Sequence, residues 1–174
     1  MWWYRIATGL VAAAMVAACG FQPLYVGGKS GPIATELGSI KIDRIADRMG
    51  QQLRNELLDK LTPYGQQASA KYGLKVTVSE GRSGLAVKKS EIATRANLQV
   101  NATFFLTDRA SARRLFSGTS RSVASFNILS SSFSSLITEK DARDRAIREV
   151  ASDIQSRLSA YFQLSPEARR QALP

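Results

Sequence analysis

Between Ala96 and Thr107 the chain alternates, with Leu98, Val100, Ala102, Phe104 and Leu106 on one parity and Gln99, Asn101 and Thr103 on the other. A period of two is the signature of a strand with one apolar and one polar face. A sheet built on such a strand needs cover on one side only. The chain holds a single cysteine, so no internal disulfide can substitute for a packed core. The apolar cover has to come from elsewhere in the sequence.

Two stretches have the spacing to supply it. In the first, Met49, Leu53, Leu57 and Leu61 recur every four residues and Leu58 widens the stripe, which predicts a helix capped by Asp47 and closed by Pro63 and Gly65. In the second, Ile147, Val150, Ile154, Leu158 and Tyr161 form one row. That helix is expected to start at Thr138, with Asp141 completing a capping-box-like arrangement, and to stop at Pro166. Leu129 to Ser135 reads as a polar loop before it.

Three further strands are expected. Ser39 to Ile45 alternates, with Ile40 and Ile42 on one face. Leu74, Val76 and Val78 alternate, and Gly84 to Val87 resumes the pattern, as one bulged strand or two short ones. Past a hairpin turn at Asp108 to Arg113, a serine-rich strand runs from Leu115 to Ile128, with Phe116, Ala124, Phe126 and Ile128 on its core side. The order β-α-β-β-β-α predicts an α+β fold. It is a two-layer sandwich, with a roughly four-stranded mixed or mainly antiparallel sheet and two helices packed on one face. The other face would be polar and open to a partner. Residues 39–164 make one domain on this reading. A tether interrupted by Pro23, Gly27, Gly28, Gly31, Pro32 and Gly38 precedes it over residues 19–38, and a frayed basic tail follows over 165–174.

The amino terminus sets the compartment. Arg5 is the only charge before Lys29, and Ile6 to Ala18 is an uncharged, mostly apolar run. It is too short to span a bilayer, which takes about 20 residues, and suits the apolar core of a signal peptide. The junction Val16-Ala17-Ala18-Cys19 resembles the lipobox of bacterial lipoproteins. That resemblance implies removal of residues 1–18 and a covalent lipid on Cys19, against the plainer reading of a signal peptide or membrane helix with an incidental cysteine. Gly20, where aspartate would favour retention in the inner membrane, points to the periplasmic side of the outer membrane.

Composition narrows the chemistry. A formal net charge of +10 implies anionic company: nucleic acid, lipid headgroups or phosphorylated glycans. Export from the cytoplasm argues against nucleic acid. The chain has no histidine, which excludes Ser-His-Asp and Cys-His centres and histidine-ligated metals. No glycine-rich phosphate loop follows a strand. The expectation is a non-enzymatic protein with no cofactor beyond its lipid.

Linked short motifs carry a family resemblance. Cys19-Gly20-Phe21-Gln22-Pro23-Leu24-Tyr25 behind a lipobox, Gly50-Gln51-Gln52-Leu53-Arg54-Asn55-Glu56-Leu57 after a strand, and Val100-Asn101-Ala102 within a later strand are similar to the LPS-assembly lipoprotein family, LptE. The resemblance implies a plug and assembly partner of the β-barrel LptD that binds lipopolysaccharide on its way to the outer leaflet. It also implies a basic lipopolysaccharide-binding residue near the end of the second strand, where Val87-Lys88-Lys89-Ser90 stands in this chain. Lys88 and Lys89, with Arg95 across the turn, are therefore the candidate lipopolysaccharide-binding residues. The alternatives are another outer-membrane lipoprotein that binds peptidoglycan or scaffolds an envelope complex, and, more remotely, an envelope hydrolase.

Overall fold

The computed structural model describes residues 31–63, 65, 69–84, 95–128 and 131–171, in the order α1 (Pro32–Gly38), β1 (Ile40–Ile42), α2 (Asp47–Leu61), β2 (Tyr72–Gly84), β3 (Arg95–Asp108), β4 (Arg114–Asn127), α3 (Ser132–Gln163) and α4 (Pro166–Gln171). The strands form one sheet in the order β1-β2-β3-β4, with β1 parallel to β2 and the other pairs antiparallel. This is the expected α+β sandwich with a mixed sheet, built with four helices among the described residues rather than two.

β3 is the centre of the fold. Ala96, Leu98, Val100, Ala102, Phe104 and Leu106 are all buried on one face, and the odd positions between them are only partly covered. The 32-residue α3, about 48 Å long at 1.5 Å per residue, lies along β3 and β4 on that face. Ile147, Val150, Ile154, Leu158 and Tyr161 are buried as the row predicts, and Leu53 and Leu57 of α2 join the same core. The serine content of β4 has a packing reason. Ser120 and Ser122 are buried on the face that α3 covers, where its small residues Ala142, Ala146 and Ala151 are also buried, and the Ser122 hydroxyl donates to Glu149 at 2.6 Å. Gly118 leaves room for the Phe104 ring, since a Cβ there would lie 2.7 Å from Phe104 Cζ.

Several boundaries differ from the sequence reading. α3 begins at Ser132, not Thr138. Ser131 is its N-cap and accepts from the Ser134 backbone N–H at 3.4 Å. Thr138 instead lies within the helix, its hydroxyl 2.9 Å from the Asn127 carbonyl and 3.0 Å from that of Ser135. Phe133, Leu136 and Ile137 have helical spacing, but they stand outside the core row, so the first turns read as loop. Asp47 does not cap α2. Ala46 holds the N-cap position without a side-chain bond, and Asp47 enters the helix with φ 65°, a conformation aspartate tolerates better than most residues. β1 is shorter than expected because Asp43 gives its N–H to Leu74 (2.9 Å) and the chain then leaves the sheet. Ile45 folds over Gly50, where a Cβ would come within 2.6 Å of Ile45 Cγ2. That close approach is the physical reason for glycine at the head of the GQQLRNEL helix.

The ends of the domain are helical too. Pro32–Gly38, expected as the last part of the tether, forms α1 with Leu37 buried, because proline in a first turn starts a helix as readily as it stops one. In the expected tail, Pro166–Gln171 forms α4. There the Arg169 guanidinium donates to the Leu164 carbonyl at 2.9 Å and lies over the Tyr161 and Phe162 rings at 5.8 and 5.5 Å. The signal peptide, the tether up to Ser30, and Leu85 to Val87 of the expected second strand lie outside the described residues.

Replacing Phe104 by alanine is expected to cost about 3–5 kcal/mol, read by urea unfolding, because the ring is fully buried over Gly118 and Phe116. In the β3–β4 hairpin, Asp108 accepts from the backbone N–H groups of Ser111 (2.8 Å) and Ala110 (2.9 Å). The Ser111 backbone bond above all, then its hydroxyl, holds the Asp108 carboxyl below its ordinary value. A depressed carboxylate stabilises the fold above its unfolded pKa, and that support is lost as pH falls through the folded value. The Ala110 and Ser111 amide resonances should accordingly titrate with a midpoint below that of an ordinary aspartate.

Candidate functional site: the bare sheet face and its cationic end

The uncovered face of the sheet carries the odd-numbered side chains of β2, β3 and β4 and, beyond a bulge at the β4 start, Arg114. Its population is mostly hydroxyls, amides and cations, with Phe105 and Val123 the large apolar members. Lys75, Arg95, Arg114 and Arg121 lie on it, and among the described residues of these three strands no carboxylate does. The polar groups are linked across strands. Arg121 donates to Gln99 (2.6 Å), Gln99 to Asn101 (3.0 Å), and Ser125 to Asn97 (2.7 Å). Arg114 lies over the Phe105 ring with its guanidinium carbon 4.4 Å from the centroid. A face of this kind is stable in water and complementary to an anionic, hydrogen-bonding surface.

At the end of the sheet where β2 stops and β3 starts, the cations divide into paired and free. On the helix side, Arg143 grips Glu80 with two nitrogens, at 2.6 and 2.8 Å, and also reaches Glu139 at 3.0 Å. Arg82 completes the chain by pairing with Glu139 at 3.1 Å, its guanidinium over the Phe126 ring. Glu80, more than any other contact, pushes the Arg143 guanidinium further above its already high range. Arg145 pairs with Asp141 one turn on. Arg143 and Arg82 fasten β2 to α3, and all three arginines are engaged within the domain. Arg95, by contrast, is exposed at the first position of β3, opposite Asn127, and makes no ion pair or hydrogen bond among the described residues.

Of the sequence-based candidates, then, the structure brings Arg95 to the expected end of the sheet. Lys88, Lys89 and Cys19 lie outside the described residues. Lys75, Arg114 and Arg121 were not singled out in the sequence; the odd parity of Lys75 and Arg121 was visible there, whereas Arg114 reaches this face only through the bulge. Beside the cationic end, α3 presents Phe133, Leu136 and Ile137 to solvent, 73%, 66% and 51% exposed. Leu136 and Ile137 line a groove of about 470 Å³ together with Met49 and Gln52 of α2. No group of residues able to hold a metal occurs among the described residues, and no helix there is long and apolar enough to cross a membrane.

A family model described as lipopolysaccharide-assembly, LptE, matches residues 36–158, which is most of the chain and all of the sheet. The chain belongs to the LptE family. The same fold occurs in a solved lipoprotein structure from Caulobacter crescentus CB15, at 22% identity and TM-score 0.64, over 76% of this chain and 97% of that one. It occurs again in a minor lipoprotein from Acinetobacter baumannii (21% identity, TM-score 0.58, 70% and 90% covered). A third example is lipoprotein B from Nitrosomonas europaea (14% identity, TM-score 0.56, 74% and 85% covered). At these identities the likeness shows the fold alone. No curated protein sequence matches the chain significantly. Membership in LptE accounts for a role in lipopolysaccharide assembly, and the two internal family motifs have structural work: Gly50 admits Ile45, and Asn101 accepts from Gln99 on the bare face.

The division between paired and free arginines has a measurable consequence. Arg143→Met strands the partly buried Glu80 and leaves Glu139 to Arg82 alone, and is expected to lower stability by about 1–2 kcal/mol, after allowing for partial exposure. Arg95→Ala removes no partner among the described residues and should change stability by less than about 0.5 kcal/mol. Chemical denaturation of both variants checks the contrast.

Proposed function

We propose that this LptE-family chain is a lipid-anchored outer-membrane protein that plugs an LptD-type β-barrel, assists its assembly and binds lipopolysaccharide during transport to the outer leaflet. The observation that carries the reading is the bare sheet face, largely polar and cationic, with no carboxylate among the described residues of its three long strands. The lumen of a wide barrel is polar. A domain that enters it needs hydrogen-bonding side chains on a surface that stays hydrated, and a sheet covered on one side only supplies them. Lipopolysaccharide carries phosphates, and free cations at one end of the sheet attract them.

Lys88, Lys89 and Arg95 form the lipopolysaccharide rim in this proposal. Lysine acts there as a mobile point charge and Arg95 as a member with no ion pair or hydrogen bond among the described residues. The lipid on Cys19 holds the domain at the membrane without a spanning helix, so it can enter the barrel from the periplasm. The protein is not an enzyme on this reading and uses no cofactor.

Two measurements test it. Cys19→Ser should abolish acyl labelling and leave uncleaved precursor in the inner membrane, and an unmodified thiol in the native protein by mass spectrometry would refute the anchor. The Lys88→Glu, Lys89→Glu double variant should fold and co-purify with the barrel yet bind lipopolysaccharide more weakly, with the deficit shrinking as salt rises. Equal binding by the variant at low salt would reduce these lysines to a solubilising strand end.

A further inference from the structure

β4 is the last strand of the sheet, and among the described residues nothing pairs with its outer edge. At 14 residues it is long against the usual five or six. The direction of its free groups follows from the hydrogen bonds around the sheet. On the β2 side, Arg109, just past β3, donates its N–H to Lys71 (3.0 Å). On the β4 side, Asp108 donates to Arg113 (2.9 Å). Odd residues of β3 therefore bond toward β2 and even residues toward β4. Since even positions of β3 pair with even positions of β4 from Phe116 to Phe126, the odd residues of β4 point their N–H and C=O groups outward. The Ser125 carbonyl, which accepts from Arg145 at 3.3 Å, and that of Asn127, which lies 2.9 Å from the Thr138 hydroxyl, agree with this. Helix α3 thus closes the edge at one end, and Ser117, Thr119, Arg121 and Val123 are left facing solvent.

Sheet proteins usually guard such an edge with proline, lysine, a central bulge or a charge projecting over it. β4 has no proline and no lysine, and its bulge lies at its start, opposite Leu106 and Thr107. Its two arginines lean the wrong way to guard it: Arg121 reaches inward to Gln99 and Arg114 inward to Phe105, both on β3. Val123, 48% exposed, is the remaining large side chain. The edge is long and, among the described residues, unpaired, with cations one row inside it.

We propose that the outer edge of β4 takes an extended, acidic segment of the barrel partner as a fifth strand. The proposal rests on the plug reading above. The segment cannot be a wall strand, because every strand of a closed barrel is already paired on both sides. It must be a loop or terminal stretch that reaches into the lumen. Main-chain bonds to Thr119, Arg121 and Val123 would hold it, and carboxylates on the bare-face side of the added strand would stand opposite Arg121 and Arg114. Opposite charges directly across a strand pair favour that register.

The test is residue-resolved hydrogen exchange on the full acylated chain, free and in complex with its barrel purified in mild detergent. Expected is a slowing of about tenfold or more at the amides of Thr119, Arg121 and Val123, the alternate positions that exchange fast in the free protein. Burial against a wet lumen without strand pairing would slow neighbouring amides evenly and would overturn the proposal, as would unchanged rates at these three positions. Failure to obtain any complex would overturn the plug reading together with this one. Thr119→Pro and Val123→Pro supply a second readout, because their N–H groups face away from β3 and proline is tolerated at such positions. Each should keep the native circular dichroism and melting temperature and lose the added protection at the other outward amides. Full protection in a folded proline variant would count against a strand at this edge.

Discussion

The burial of one face of β3 under α3 is the interaction on which the other features depend. The even-numbered side chains of that strand from Ala96 to Leu106 are all buried on one side, and the opposite side, where Phe105 lies under Arg114, is left largely polar. The helix can lie close to the sheet because β4 meets it with Ser120 and Ser122 and because Gly118 gives up its Cβ volume to Phe104. Dense packing on one face is what lets the other face remain polar without loss of stability.

That asymmetry sorts the charges. Carboxylates of β2 and α3 near the sheet end sit on the helix side, where Arg82 and Arg143 neutralise them and tie the two elements together. The bare side keeps Lys75, Arg95, Arg114 and Arg121 with no acidic neighbour on the strands. The net positive charge of the chain is thus not spread evenly. A surface that is cationic, hydrated and rigidly backed by a core suits an anionic amphiphile or a polar lumen far better than it suits a second apolar surface.

The edge of β4 and the exposed start of α3 lie at the margins of the same design. Both are segments where the fold leaves groups unpaired: backbone N–H and C=O groups along β4, and the side chains of Phe133, Leu136 and Ile137 on α3. Free strand edges are normally suppressed because they recruit other chains. In a protein proposed to work inside another, an edge with its arginines folded inward is consistent with recruitment being its use.

Local pattern by itself determined the strand at Ala96 to Thr107, the row from Ile147 to Tyr161 and the stripe through Leu53 and Leu57, because in each a single periodicity coincides with burial. It also determined the parity of β4, whose even positions are the covered ones, and the family, through short linked motifs. Tertiary structure decided what periodicity cannot encode. Pro32 starts a helix that buries Leu37 in the core and Pro166 one whose Arg169 lies over Tyr161 and Phe162, whereas proline in isolation reads as a stop. Phe133, Leu136 and Ile137 belong to a helix whose first turns overhang the sheet, so no core row revealed them. The pairing of Arg143 and Arg82, and the freedom of Arg95, depend on Glu80 and Glu139 meeting across β2 and α3. The sequence lists those charges but not their distances, and distance is what separates a structural ion pair from a binding group.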